Sequence, residues 1–183
     1  MALVAEYQEG TGPVSGSQTR RKENIQVVEF VLGKELFAID LFDVKEVVEY
    51  TTITKLPNVS SCVRGIIDLR GEITTIIDLR ERLGIAEASS LPGESSRIIV
   101  LDNKITKSKT GILVDDVTSV STFEEEQVDY TSAGVTDNDS VIRGIIKRKI
   151  RVKDKEKNEL IIWINSIQLL SDGDVGVDRR GFL

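Results

Sequence analysis

From residue 25 onward, apolar runs of four to eight residues, rich in Val and Ile, alternate with Gly, Asn, Asp and Ser. That punctuation is the signature of strands bounded by turns. It predicts strands over 25–32, 35–40, 53–56, 63–69, 73–78, 97–101, 110–114, 117–123, 141–147 and 160–165, and hence an all-β class. Gly33-Lys34 and Gly71-Glu72 fall where hairpin turns are needed. Three segments, 41–49, 79–83 and 165–170, carry apolar residues three and four apart and predict helical connectors of one or two turns. Residues 1–24 and 172–183 are Gly, Ser, Thr and charge without a period, and predict flexible tails on a domain of 25–171.

Comparing the chain with itself reveals a duplication. Val63-Arg64-Gly65-Ile66-Ile67 recurs as Ile142-Arg143-Gly144-Ile145-Ile146. Ile76-Ile77-Asp78-Leu79 leads to Leu83, as Ile161-Ile162-Trp163-Ile164 leads to Ile167 and Leu170. Asp40 and Asp115 each end a strand that follows a hairpin. The offset grows from 75 residues at the aspartates to 79 at Arg64 and Arg143 and 85 at Ile76 and Ile161, as loop insertions produce. Two lobes of about five strands are expected, at roughly 25–84 and 96–171, joined through GIAEASSLPGESS and with room for strand exchange between them.

Composition narrows the function. The 183 residues are 40% hydrophobic and 30% charged, without the run of about 18 apolar residues that a membrane helix needs. The first twenty residues have neither a basic start nor a long apolar stretch, so an intracellular protein is expected. The single cysteine, Cys62, cannot form an internal disulfide and reads as buried filler. There is no histidine, which removes the commonest general base near neutral pH and the commonest metal ligand. A net charge of −6 and a pI near 4.9 argue against a nucleic-acid partner.

The remaining chemistry is weak. Glu124-Glu125-Glu126 and Asp115-Asp116 are the candidate carboxylate pairs for acid–base work or Mg²⁺. Consecutive strand residues point to opposite faces, so they do not converge, and the glutamate run reads as a solvated helical turn. Neither Gly33-Lys34-Glu35 nor Gly93-Glu94-Ser95 has P-loop spacing. Lys104, Lys107 and Lys109 with the lysines of 147–157 make a basic surface, but Asp154 and Glu156 interrupt it and aromatics for base stacking are scarce. The residues describe a binding module rather than an enzyme.

One arrangement of motifs is specific. Phe30-Val31-Leu32-Gly33, Ile39-Asp40 with Val44 and Glu46-Val47, and Lys55-Leu56-Pro57 come first. Val63-Arg64-Gly65-Ile66, Leu69-Arg70-Gly71, Ile77-Asp78-Leu79-Arg80 and Gly111-Ile112-Leu113-Val114-Asp115 with Val117 and Val120 follow. In this order, over 27–170, they resemble the CheW family of chemotaxis coupling proteins. The resemblance implies two five-stranded SH3-like β-barrel lobes with short connecting and C-terminal helices, and no catalytic activity, cofactor or metal. It implies two partners: the regulatory domain of a CheA-type histidine kinase and the cytoplasmic signalling tip of chemoreceptors. The protein would be cytoplasmic and reach membrane-associated arrays only through receptors. An adaptor serving a non-flagellar system such as pilus-based motility is the alternative.

Carried over residue by residue, the family's receptor groove implies Val44, Glu46, Arg70 and Val120. The valines would supply an apolar floor for a receptor helix and the charged pair its fixed charges, with Arg70 suited to bidentate contact with Glu46. Arg80 is weighed between function and simple solvation at a helix start. Gly65, Gly71, Gly144, Asp40, Asp78 and Asp115 read as architecture, the aspartates by bonding the backbone of the turn that follows. Ser60, Asp68 and Thr75 depart from the family pattern, Thr75 by restoring an N–H donor where proline is frequent. The charged excursion over 147–159 reads as a solvated hairpin that can add a partner contact of its own.

Overall fold

The computed structural model describes residues 24–85, 93, 95–106, 108–131 and 140–171. Both predicted tails, apart from Asn24, and most of the predicted linker lie outside them. In chain order the elements are β1 (Asn24–Leu32), β2 (Glu35–Asp40), β3 (Val44–Glu49), β4 (Val63–Leu69), β5 (Glu72–Asp78) and helix α1 (Leu79–Leu83). Then come β6 (Arg97–Leu101), β7 (Thr110–Val114), β8 (Asp116–Glu124), β9 (Val128–Asp129), β10 (Ile142–Val152), β11 (Lys155–Ile164) and helix α2 (Ser166–Ser171). One sheet runs β8-β1-β2-β11-β10-β9 and the other β3-β6-β7-β5-β4.

The duplication is visible in this order. In both copies the first hairpin (β1-β2 or β6-β7) takes the third strand of the other copy on one side, β8 or β3, antiparallel. On its other side it takes the fifth strand of the other copy, β11 or β5, parallel. The chain therefore crosses between sheets after β2 and after β7, whereas β5 and β6, before and after the expected linker, belong to the same sheet. Six strands against five reflects β9, a two-residue strand where the first copy has the single bridge Thr54–Ile66.

Neither hydrogen-bonded ladder closes into a barrel, yet each sheet curls round its own core. Phe123 of β8 and Val128 of β9, from the two ends of one sheet, pack on the cluster of Val27, Ile146 and Trp163. Val48 of β3 packs with Ile67 of β4 and Ile76 across the other. A third, larger core, including Phe30, Leu32, Ile39, Ile77, Ile99 and Ile112, joins the two sheets. Strands clamped between two cores lose the polar alternation of a half-exposed sheet, and all five residues of β7 are buried.

The repeated Arg-Gly pair makes the same irregularity twice. Register shifts fall between Val63 and Gly65 against β5, and between Ile142 and Gly144 against β11. Gly65 then pairs with Ile76 and Gly144 with Trp163. Trp163, rather than Ile161, is thus the structural counterpart of Ile76.

Several local expectations change. Only the start of the connector expected over 41–49 is helical: Leu41–Asp43 form a single 3-10 turn and Val44–Glu49 an edge strand. The three-and-four spacing misled because β-branched Val44, Val47 and Val48 favour a pleated strand. Residues 53–56 contribute one bridge rather than a strand. The β4–β5 turn is Arg70-Gly71, with Leu69 opposite Glu72. Helices at 79–83 and 166–171 form as expected, capped by the side chains of Asp78, accepting from the Arg80 N–H, and Asn165, accepting from the Ile167 and Gln168 N–H groups. The glutamate run enters a 3-10 turn, Glu125–Gln127, closed by a capping box. Among the described residues no helix is long and apolar enough to cross a membrane.

Candidate partner-binding surface

Val44 and Glu46 sit on β3, the edge of the five-stranded sheet, with a bulge between them against β6. Arg70 is at the β4–β5 turn, at the far end of the same ladder, with φ of 56°. Because the sheet curls, these ends meet: Arg70 Nη2 lies 3.1 Å from Glu46 Oε2. The pair the sequence suggested is present. Arg70 is 78% exposed and Glu46 22%, and an ion pair so open to solvent stabilises by only about 0–1 kcal/mol. The geometry leaves most of the Arg70 guanidinium open to solvent, with donors beyond the one facing Glu46.

The two valines differ. Val44 is half-buried against the core between the sheets, so its side chain is largely used in folding. Val120 lies on β8, the edge of the other sheet, and is 61% exposed. Two exposed apolar residues neighbour the pair in sequence. Val47, outward on β3, is 40% exposed, and Ile73, just after the Arg70 turn, is 61% exposed. Reading 44–49 as a strand would have exposed Val47, since Val44, Glu46 and Val48 then share the inner face.

Arg80 belongs to the architecture. It is 3% exposed and lies 3.6 Å from Asp78 and 3.3 Å from Asp115. Asp115, expected to bond its own following turn, reaches back to the first hairpin: its Oδ2 accepts from the Gly33 N–H at 2.7 Å, and its own N–H donates to the Val31 carbonyl. Asp40 does bond its own turn, accepting from the Phe42 N–H, and lies 3.7 Å from Arg143. Both repeated aspartates thus stand where the chain changes sheets, each with an arginine. Thr75 uses its restored donor, giving its N–H to the Lys109 carbonyl at 2.9 Å.

A second charged feature lies on the six-stranded sheet. Glu29, 1% exposed, accepts two hydrogen bonds from Arg148 Nη1, at 2.7 and 2.9 Å, and Arg148 also donates to Glu159. Burial opposes the charge on Arg148, but the bonds to Glu159 and Glu29 outweigh it and raise its pKa above the ordinary value. Beside this network runs a cleft of about 690 Å³, lined by residues 121–123 of β8 and 147–149 of β10. Among the described residues no group of His, Cys, Asp or Glu could hold a metal ion. Cys62 is buried in the core between the sheets.

Two curled sheets and a duplicated chain exchanged between them define a duplicated, strand-exchanged β module. The chain belongs to the CheW-like domain family, whose model matches residues 26–174. It is 32% identical to the chemotaxis protein CheW of Treponema pallidum over 69% of this chain and 75% of that one. It is 33% identical to the CheW of Bacillus subtilis over 69% and 78%. The crystal structure of the scaffolding protein TtCheW from Thermoanaerobacter tengcongensis superimposes with a TM-score of 0.66 at 32% identity, covering 83% of this chain and 96% of that one.

Proposed function

We propose that the protein is a non-catalytic coupling scaffold of a chemotaxis pathway. It holds the regulatory domain of a CheA-type histidine kinase and the cytoplasmic signalling tip of a chemoreceptor in fixed relative geometry. Membership of the CheW-like family across nearly the whole domain carries this reading. The Arg70–Glu46 pair, with exposed Val47 and Ile73 near it in sequence, supports a receptor contact in this region, since a helix docks on an apolar surface rimmed by a few placed charges. Val44 supports the strand from below, and Val120 extends the surface onto the other sheet. The scaffold works in the cytoplasm and is recruited to receptor arrays through these contacts.

Co-sedimentation with receptor signalling tips and a CheA-type kinase tests it. Wild type is expected with both partners, and Arg70→Ala should weaken the receptor complex about tenfold while leaving kinase binding unchanged. Glu46→Ala should do the same with less than additive effect in the double variant. Wild type sedimenting with neither partner would sink the proposal.

A further inference from the structure

The hairpin of β10 and β11 outgrows its sheet. Pairing with β9 ends at Ile146 and pairing with β2 begins at Ile161, whereas β10 and β11 pair on from Lys147–Leu160 out to Val152–Lys155. The overhang is a two-stranded arm closed by Lys153-Asp154, both at positive φ. Two-stranded ribbons are marginal alone, but this one is rooted: Arg148 ties it to buried Glu29 on β1 and to Glu159 across the ribbon. Its charge opposes that of the molecule. Residues 147–159 carry seven Lys and Arg against three Asp and Glu, where the whole chain carries 24 against 30.

Alternation sorts the arm into faces. Arg148 points toward Glu29, so Lys147, Lys149 and Arg151 point the other way, together with Leu160, which is 54% exposed. Lys147 bonds Asp129 at its base. Lys149, Arg151 and Lys153 are exposed and make no ion pair among the described residues, even though Glu156 stands opposite Arg151. Basic side chains on one strand face recur every ~6.6 Å, close to the ~6 Å between carboxylates at i and i+4 on a helix.

We propose that this face of the arm docks along an acidic stripe of a partner helix, with Leu160 against its apolar flank, and that the helix belongs to the receptor tip. The proposal rests on the coupling-scaffold reading, in which the receptor is the helical partner. The arm adds long-range attraction and register to the contact around Arg70.

The test is a Lys149→Glu/Arg151→Glu/Lys153→Glu variant of the full chain, measured against receptor tips and kinase separately over a series of salt concentrations. Wild-type affinity for the tips should fall steeply with salt, and the variant should bind at least about tenfold more weakly at low salt with a flatter dependence. Its thermal midpoint and kinase affinity should match wild type. Equal receptor affinity for variant and wild type at low salt overturns the arm contact while leaving the scaffold reading intact. Loss of kinase binding, or arm-dependent sedimentation with anionic lipid vesicles lacking receptor, overturns it in favour of that other partner. Failure of wild type to sediment with receptor tips overturns both readings.

Discussion

Glu29 is almost fully buried, and Arg148 reaches its carboxylate from another strand. Removing one partner of such a pair strands the other in low dielectric, so Arg148→Ala should destabilise the fold by about 3 kcal/mol in urea titrations. Glu29→Gln combined with Arg148→Met should recover much of that loss, because replacing both charges removes the penalty. A double variant as unstable as Arg148→Ala would show that packing rather than charge is lost. Residues of this sort are hard to read from sequence. Arg80 and Arg148 look like surface arginines until the β7–β8 junction and β1 bring a carboxylate to them from 35 or more positions away. Arg70 and Glu46 were legible as a pair only through family resemblance, because the contact depends on a sheet curling until its ends meet.

At the scale of elements, the two Arg-Gly bulges are alike in register but not in tolerance. A Cβ on Gly65 would stand 2.1 Å from the Thr54 carbonyl oxygen, at a φ of +142° that disfavours other residues. On Gly144 the nearest atoms are the Val128 side chain at 2.8 Å and the Asp129 carbonyl at 3.3 Å. A side-chain methyl can give way where a bridged carbonyl cannot. Gly65→Ala should therefore cost about 2–3 kcal/mol and Gly144→Ala visibly less, read as the difference in urea midpoint. Equal losses would mean that the bulge itself, and not the Thr54 bridge, sets the requirement. Elements bounded by glycine or capped by Asp78 were legible because those residues act locally. The strand over 44–49 was not, because edge pairing with β6 overrides an ambiguous apolar spacing.

The duplication was legible as motif, but its assembly was not, since nothing local tells a strand which copy's hairpin it will join. That exchange has a consequence for the whole molecule. Each sheet contains strands from both copies, the chain crosses between sheets twice, and Phe30, Ile77, Ile99 and Ile164 share one core. Neither sheet can lose its strands without opening that core, so the two should unfold as one unit. Trp163 fluorescence reports the six-stranded sheet, and the amide resonances of Ile99 and Ile112 report the other. Their urea midpoints should coincide, with a common slope of about 1–3 kcal/mol/M. A fragment of residues 24–85, which holds β1–β5 and α1, should lack dispersed amide signals, because β1 and β2 would be without β8 and β11, and β3 and β5 without β6 and β7. Separate midpoints, or a folded fragment, would show lobes that stand independently. A single transition fits a scaffold whose receptor contacts, at Arg70 on one sheet and along the β10–β11 arm on the other, must keep a constant separation to engage one partner together.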